Sequence, residues 1–191
     1  VIRNEGNGAV IKASRPVVVG NCPFFFKIGA CRHGEKCSRL HNRPTVSQSL
    51  LIPHMYSNPY MGQSSEAISQ LNPDEVQEAF EFFYEDVWNE LSKFGELLEL
   101  HVCDNLGDHL VGNVYVKFVS EEGAQKAKAG LNGRWYNGKV VNPEFSPVTD
   151  FREARCRQYD IGECNRGGFC NFMHLTKVSK DVLKHLVHEQ Q

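Results

Sequence analysis

The feature that most constrains this chain is a set of three cysteines and one histidine that occurs twice. The first copy, CPFFFKIGACRHGEKCSRLH, places Cys22, Cys31, Cys37 and His41 in a C-x8-C-x5-C-x3-H spacing. The second, CRQYDIGECNRGGFCNFMH, places Cys156, Cys164, Cys170 and His174 in a C-x7-C-x5-C-x3-H spacing. Among the cysteines only Cys103 lies outside the two sets. Three thiolates and an imidazole form a closed tetrahedral set for a soft ion such as zinc. Each stretch is too short to bury a core, so the metal supplies most of its folding free energy. The alternative is six unrelated buried thiols, or disulfides. The shared ligand order and the shared last two spacings of the copies speak against it. The expectation is two structural Zn2+ ions.

The residues between the ligands suggest what such fingers hold. In the first, Phe24, Phe25 and Phe26 accompany Lys27, Arg32, Lys36 and Arg39; in the second, Tyr159, Phe169 and Phe172 accompany Arg155, Arg157 and Arg166. Aromatic faces stack on unpaired bases and neighbouring cations hold phosphates or base edges. Some of these rings must instead form the miniature core around the metal. A finger this small cannot bury all of them, so at least one exposed ring per finger is expected.

The chain has 191 residues and a formal charge of −2, which suits one medium domain with attachments. No apolar run approaches the roughly 20 residues of a membrane span, and the opening lacks a continuous apolar signal region. Cysteines in metal-ligand spacing point to a reducing compartment. The small net charge hides an asymmetry. Residues 12–44 carry seven cations against Glu35 alone, whereas residues 66–105 carry eleven acids against Lys93 alone. The basic finger suits a polyanion; the acidic stretch suits a basic protein partner.

In chain order, residues 1–20 read as an irregular lead-in and residues 21–44 as the first finger. Residues 46–56 read as a strand that Pro53 pushes toward an edge or a bulge, and residues 57–71 as a loop. Asn72-Pro73-Asp74-Glu75 starts a helix that runs to about Lys93, with Val76, Phe80, Phe83, Val87, Leu91 and Phe94 as its buried stripe and Gly95 ending it. Strands over 97–103 and 113–119, a helix over 121–132 with Ala124, Ala127 and Leu131 inward, and a last strand over 139–145 complete a β-α-β-β-α-β order. That is the α+β, ferredoxin-like pattern, here spanning residues 46–147. The second finger occupies 150–175. A closing helix within 177–191 carries Val182, Leu183, Leu186 and Val187 on one apolar face.

An RNA recognition motif carries a basic-Gly-aromatic start to its third strand. Here that start is Val111-Gly112-Asn113, so the stacking ring is missing and the sheet is not expected to bind RNA. An ordinary recognition motif with drifted sequence is the alternative. Arg134-Trp135-Tyr136 sits on a loop between glycines, where exposed Trp and Arg serve as interface anchors. The alternative for Trp135 is that it folds back over the helix edge.

These residues resemble the small-subunit family of U2AF, the U2 auxiliary factor of pre-mRNA splicing. The resemblance runs from about Asn21 to Leu186 and rests on KIGACRHGEKCSRLHNRP, FYEDVWNELSKFGELLELHVCDNLGDHLVGNVYVKF and SPVTDFREARCRQYDIGECNRGGFCNFMHL. It implies a U2AF-homology motif (an RRM-like domain) flanked by two CCCH zinc fingers, in a nuclear protein. It implies that the fingers together read the AG dinucleotide at the 3′ splice site of single-stranded pre-mRNA. The matching RNA-contacting positions are Phe24, Arg32, Ser38 and Arg39 in the first finger, and Arg157, Gln158, Phe172 and Arg166 in the second. It further implies that Arg134, Trp135 and Tyr136, with Glu81 and Glu85 of the acidic helix, grip a Trp-containing basic peptide of the U2AF large subunit.

Three departures stand out. Tyr136 replaces the usual Phe, which is tolerable if its hydroxyl faces water. Residues 1–20 do not resemble the family's lead-in, and the sequence holds no arginine-serine tail. Two other classes compete. A zinc deaminase would need H-x-E; His33-Gly34-Glu35 has that string, but His33 lies outside the ligand spacing and the P-C-x-x-C partner is missing. A site closed by four protein ligands also leaves no position for water, so no enzyme is expected. The second competitor is a zinc-stabilised protein scaffold without sequence-specific RNA binding.

Overall fold

The computed structural model describes residues 20–190. All of the irregular lead-in except Gly20 lies outside these residues. In order the elements are α1 (Pro23–Ile28), β1 (Ser49–Ile52), α2 (Ser65–Gln70), α3 (Pro73–Ser92), β2 (Leu97–Val102), β3 (Val114–Phe118), α4 (Glu121–Leu131), β4 (Trp135–Tyr136), β5 (Lys139–Val140), β6 (Glu144–Phe145), α5 (Phe151–Ala154), α6 (Arg157–Asp160) and α7 (Lys180–Glu189). Short 3-10 turns at Gly34–Lys36 and Gly167–Phe169 lie between the second and third cysteines of each finger.

The central sheet has the order β2-β3-β1-β6, with every neighbouring pair antiparallel. One face packs on α3 and α4: Leu50, Ile52, Leu100, Val102, Val114, Val116 and Phe118 meet Phe80, Tyr84, Val87, Trp88, Leu91, Ala124, Ala127 and Leu131. This is the ferredoxin-like arrangement. The start of α3 follows from its sequence, since Asn72 caps Asp74 N–H, Pro73 takes the first turn and Asp74 and Glu75 sit at the positive end.

The other sheet face, where a recognition motif would stack bases, is also buried. Leu51, Cys103 and Tyr115 pack there against Ile28 and Ala30 of the first finger and Phe151, Ala154 and Met173 of the second finger region. Tyr115 is a ring on that face, yet it is fully buried, with Phe151 edge-on to it at 5.8 Å. Asn113, at the position expected to lack a stacking ring, is buried too; it donates to His109 O and accepts from His54 N–H. So the ring of this sheet face is covered by packing, and the position before β3 carries no ring.

Several local expectations need correction. The strand over 46–56 shortens to β1, which is central; Pro53 follows its last residue and costs the ladder nothing. The loop over 57–71 contains α2, capped by Ser64. Tyr84 and Trp88 are fully buried on α3, whereas Val76, Phe83 and Phe94 are half-buried at its rim. Gly95 does not cap α3, which ends at Ser92 with Lys93 as its C-cap; Gly95 lies against Gly123, where an added Cβ would come within 3.1 Å of the Gly123 Cα. The last strand divides: β5 pairs with β4 in a separate hairpin and only β6 joins the sheet. On α7, which packs on α3 and is tied to Leu97 through Gln190, Leu186 is buried and Val182 partly so, but Leu183 and Val187 stay exposed.

Candidate metal centres and nucleic-acid interface

Each Cys3His set comes together with its four ligand atoms within 4.8 Å of one another. Sulfur separations are 3.9 Å for Cys31–Cys37, 3.7 Å for Cys156–Cys164 and 3.8 Å for Cys156–Cys170. A tetrahedral zinc with Zn–S of about 2.3 Å requires about 3.8 Å between sulfurs. Disulfide bonding would require about 2 Å. The Nε2 atoms of His41 and His174 are buried with no hydrogen-bond partner in the protein. Such a nitrogen is costly unless it ligates a metal. The donor sets therefore fit two structural Zn2+.

The fingers repeat more than their ligands. The ring three residues after the first cysteine stacks on the histidine ligand in both: Phe25 on His41 at 4.4 Å and Tyr159 on His174 at 3.9 Å. These two rings are the miniature core. Others stay outside it: Phe24 and Phe26 in the first finger and Phe169 in the second are exposed. The backbone also closes alike, with Cys22 N–H donating to Leu40 O and Cys156 N–H to Met173 O.

The attachments differ. The first finger meets the sheet through the end of α1, where Gly29 turns at φ 74° and leaves no room for a Cβ beside Ser146 and Tyr115. Arg43 adds an ion pair with Glu144. The second finger is clamped by the β2–β3 loop. Buried Asn105 donates to Cys170 O and Phe172 O and accepts from His174 N–H. Asp104 N–H donates to His174 O, and the Tyr159 hydroxyl donates to Asp104 at 2.7 Å. Sequence reading passed over Asn105 and Asp104, which stand in an ordinary turn.

Both fingers contribute to one groove. Lys27 of the first and Arg157, Gln158, Arg166 and Phe172 of the second line a cavity of about 410 Å³. Phe24 meets Phe172 edge-on at 6.4 Å, and Lys27 pairs with Glu153. Arg32, Ser38 and Arg39 are exposed on the first finger but do not line this cavity. Lys27 and Arg155, which the sequence offers only as cations beside the finger rings, line it as well, as does Arg152, which was not singled out from sequence.

On the opposite side of the central domain, Arg134 pairs with Glu90 at 2.6 Å beside a cavity of about 140 Å³ lined by Ile52, Met55, Asp86, Val87, Leu131, Trp135 and Tyr136. Hydrogen bonds from Lys93 and Arg134 hold the Glu90 carboxyl below the usual carboxylate range. A groove of about 600 Å³ adjoins it, sharing Met55, Asp86 and Tyr136. Trp135 is 73% exposed, so it does not fold back. The Tyr136 hydroxyl does not simply face water: burial and then the Asp86 carboxylate push it up to about 12. Glu81 is also placed differently from expectation. It accepts from Gln77 and from Ser179 N–H at the start of α7, so its carboxylate is used inside the chain. The acids beside the Arg134 loop are Asp86 and Glu90; Glu85 is half-buried on the same helix. Among the described residues no helix is long and apolar enough to cross a membrane.

Comparison with known proteins agrees with this architecture. Residues 70–142 match the RNA recognition motif, and residues 20–43 and 151–176 match the zinc finger of C-x8-C-x5-C-x3-H type. The chain is 57% identical over 169 residues to the splicing factor U2AF 26 kDa subunit of Bos taurus, covering 87% of this chain and 77% of that one. It is 55% identical over 171 residues to the splicing factor U2AF 23 kDa subunit of Schizosaccharomyces pombe, covering 90% and 78%. With the splicing factor U2af 38 kDa subunit of Drosophila melanogaster it shares 54% over 171 residues, covering 87% and 65%.

Proposed function

The chain belongs to the U2AF small-subunit family of splicing factors, and from that premise we propose that its fingers read the AG of a 3′ splice site in single-stranded pre-mRNA while its central domain holds the family's large subunit. The observation that carries the RNA half is the single groove between the fingers, where cations from both surround Phe172 with Phe24 at its edge. A ring flanked by cations suits an unpaired base and its phosphate. The covered sheet supports the same assignment, since bases have no platform there. Zinc holds the two fingers rigid, so little entropy is lost when RNA binds. Ser38 and Gln158 supply the hydroxyl and amide that discriminate bases.

A dinucleotide offers few contacts, so the intrinsic affinity is modest. Tethering to a large subunit bound at the adjacent pyrimidine tract raises the effective concentration. The tether attaches at the Arg134–Tyr136 side. There the apolar cavity between α3 and the β4–β5 hairpin takes a tryptophan from a basic peptide. Asp86 and Glu90 supply the complementary charge, and the exposed Trp135 packs on the peptide in return. Splicing places this work in the nucleus.

The test is fluorescence anisotropy on the chain bound to a large-subunit peptide, with one RNA ending in UAG and another in which AG is changed to UC. The UAG RNA binds more tightly, and chelation of zinc abolishes the difference. Equal affinity for both RNAs refutes AG reading.

A further inference from the structure

Gln158 and Arg166, each matched above to an RNA-contacting position, are also bonded to each other. Arg166 Nη2 donates to Gln158 Oε1 at 3.1 Å, and Arg166 Nε donates to Cys170 Sγ at 3.3 Å. The guanidinium is thus held between the amide and a buried zinc ligand. Its fork is planar and rigid, so both contacts are satisfied in one orientation. A guanidinium has donors only, so whichever end of an amide faces it must be the oxygen. Gln158, which lines the groove, is therefore left with its NH2 to offer there as a donor.

The other polar groups of the groove have the same sense. Lys27 and Arg157 donate. The one carboxylate lining it, Glu153, is paired with Lys27 at 3.6 Å. The backbone carbonyls of Cys156, Arg157 and Gln158 already accept from Asp160, Ile161 and Glu163 N–H groups. Such a surface satisfies a base edge that carries acceptors and leaves an amino edge facing donors.

We infer that Arg166 is a positioning residue that fixes Gln158 as a hydrogen-bond donor, so that the groove selects a keto base, guanine or uracil, over an amino base, cytosine or adenine, at the nucleotide beside Gln158. This rests on the RNA reading proposed above and adds a chemical rule to it. Without Arg166 the amide can turn over and accept as readily as donate. With Glu at position 158, the carboxylate pairs with Arg166 and offers acceptors only, which inverts the preference.

The experiment uses the full chain bound to the large-subunit peptide and measures anisotropy with RNAs that retain AG. Each of the two nucleotides before and after it is varied singly through all four bases. At one position the unmodified chain binds keto bases at least about fivefold more tightly than amino bases, a modest share of what one good base contact supplies. Arg166→Ala brings that ratio below about twofold, with zinc still at two ions per chain by elemental analysis. Gln158→Glu reverses it in favour of cytosine and adenine. A ratio unchanged in Arg166→Ala, with all RNAs weakened equally, overturns the inference and makes Arg166 a phosphate contact. The absence of any keto preference in the unmodified chain also overturns it. The separate comparison of AG with UC shows whether the RNA reading itself fails.

Discussion

The two fingers share a ligand plan, a ring stacked on the histidine and a backbone closure, yet they are held to the molecule in different ways. The second is tied by the β2–β3 loop, with Asn105 buried among its ligands and His174 only 2% exposed. The first rests on the sheet through Gly29, Ile28 and Ala30, and its Cys37 and His41 are half-exposed. The same metal chemistry thus serves one module that is part of the domain's fold and one that is docked on it. Asymmetric burial of this kind sets the order in which the parts come loose, because opening free energy follows local packing and hydrogen bonding.

The sharpest way to break this comparison is to remove one ligand from each finger. Structural zinc sites contribute about 10 kcal/mol or more of apparent binding energy. Cys170→Ser loses one ion and lowers the melting of the central domain with it, because Cys170 and Met173 pack under the clamp. Cys37→Ser loses the other ion and leaves the central transition nearly in place. Metal analysis with circular-dichroism melts reads both; equal damage from the two changes removes the asymmetry.

Asn105→Ala comes next. It strands the Cys170 and Phe172 carbonyls and the His174 N–H, at roughly 1–3 kcal/mol for a buried group left unpaired, so a loss of about 2–4 kcal/mol is expected in urea unfolding. Asn42→Ala removes the exposed contact to Asn21 in the first finger and costs less than about 0.5 kcal/mol. Trp135→Ala sharpens a different contrast, between holding the fold and holding a partner. Calorimetry is expected to show large-subunit peptide binding weakened by more than about 2 kcal/mol. The chain's own stability changes by less than about 0.5 kcal/mol, because the side chain is exposed. The smallest effect is that of Arg39→Ala, which weakens RNA binding and lowers the slope of affinity against salt by about one charge. Zinc content is unchanged. An undiminished affinity in a fluorescence titration excludes Arg39 from the reader.

Much of this was legible before the structure. Ligand spacing identifies the metal sets because zinc imposes it, and capping and periodicity place α3 and α4 because local backbone chemistry sets them. What was not legible depends on long-range placement. Tyr84 and Trp88 join the core because α3 is covered along a broader face than one stripe suggests, with Tyr84 also donating to Leu100 O. Seven acids lie between Asp74 and Glu90, and which of them face Arg134 depends on where the β4–β5 hairpin lands and where α7 docks. The burial of Tyr115 under both fingers joins three separate stretches of the chain, and the meeting of Lys27 with Phe172 around one groove joins residues more than a hundred positions apart. No local pattern encodes that.

The central claim is that two fingers make one reader. A double-mutant cycle on RNA affinity tests it most directly, using Phe24→Ala in the first finger, Phe172→Ala in the second, and both together, on the peptide-bound chain with the UAG RNA. Rings that share one base site lose affinity non-additively, and a coupling of about 1 kcal/mol or more is predicted. Strict additivity within about 0.3 kcal/mol, with each change weakening binding by itself, would mean two independent contacts and would contradict the account.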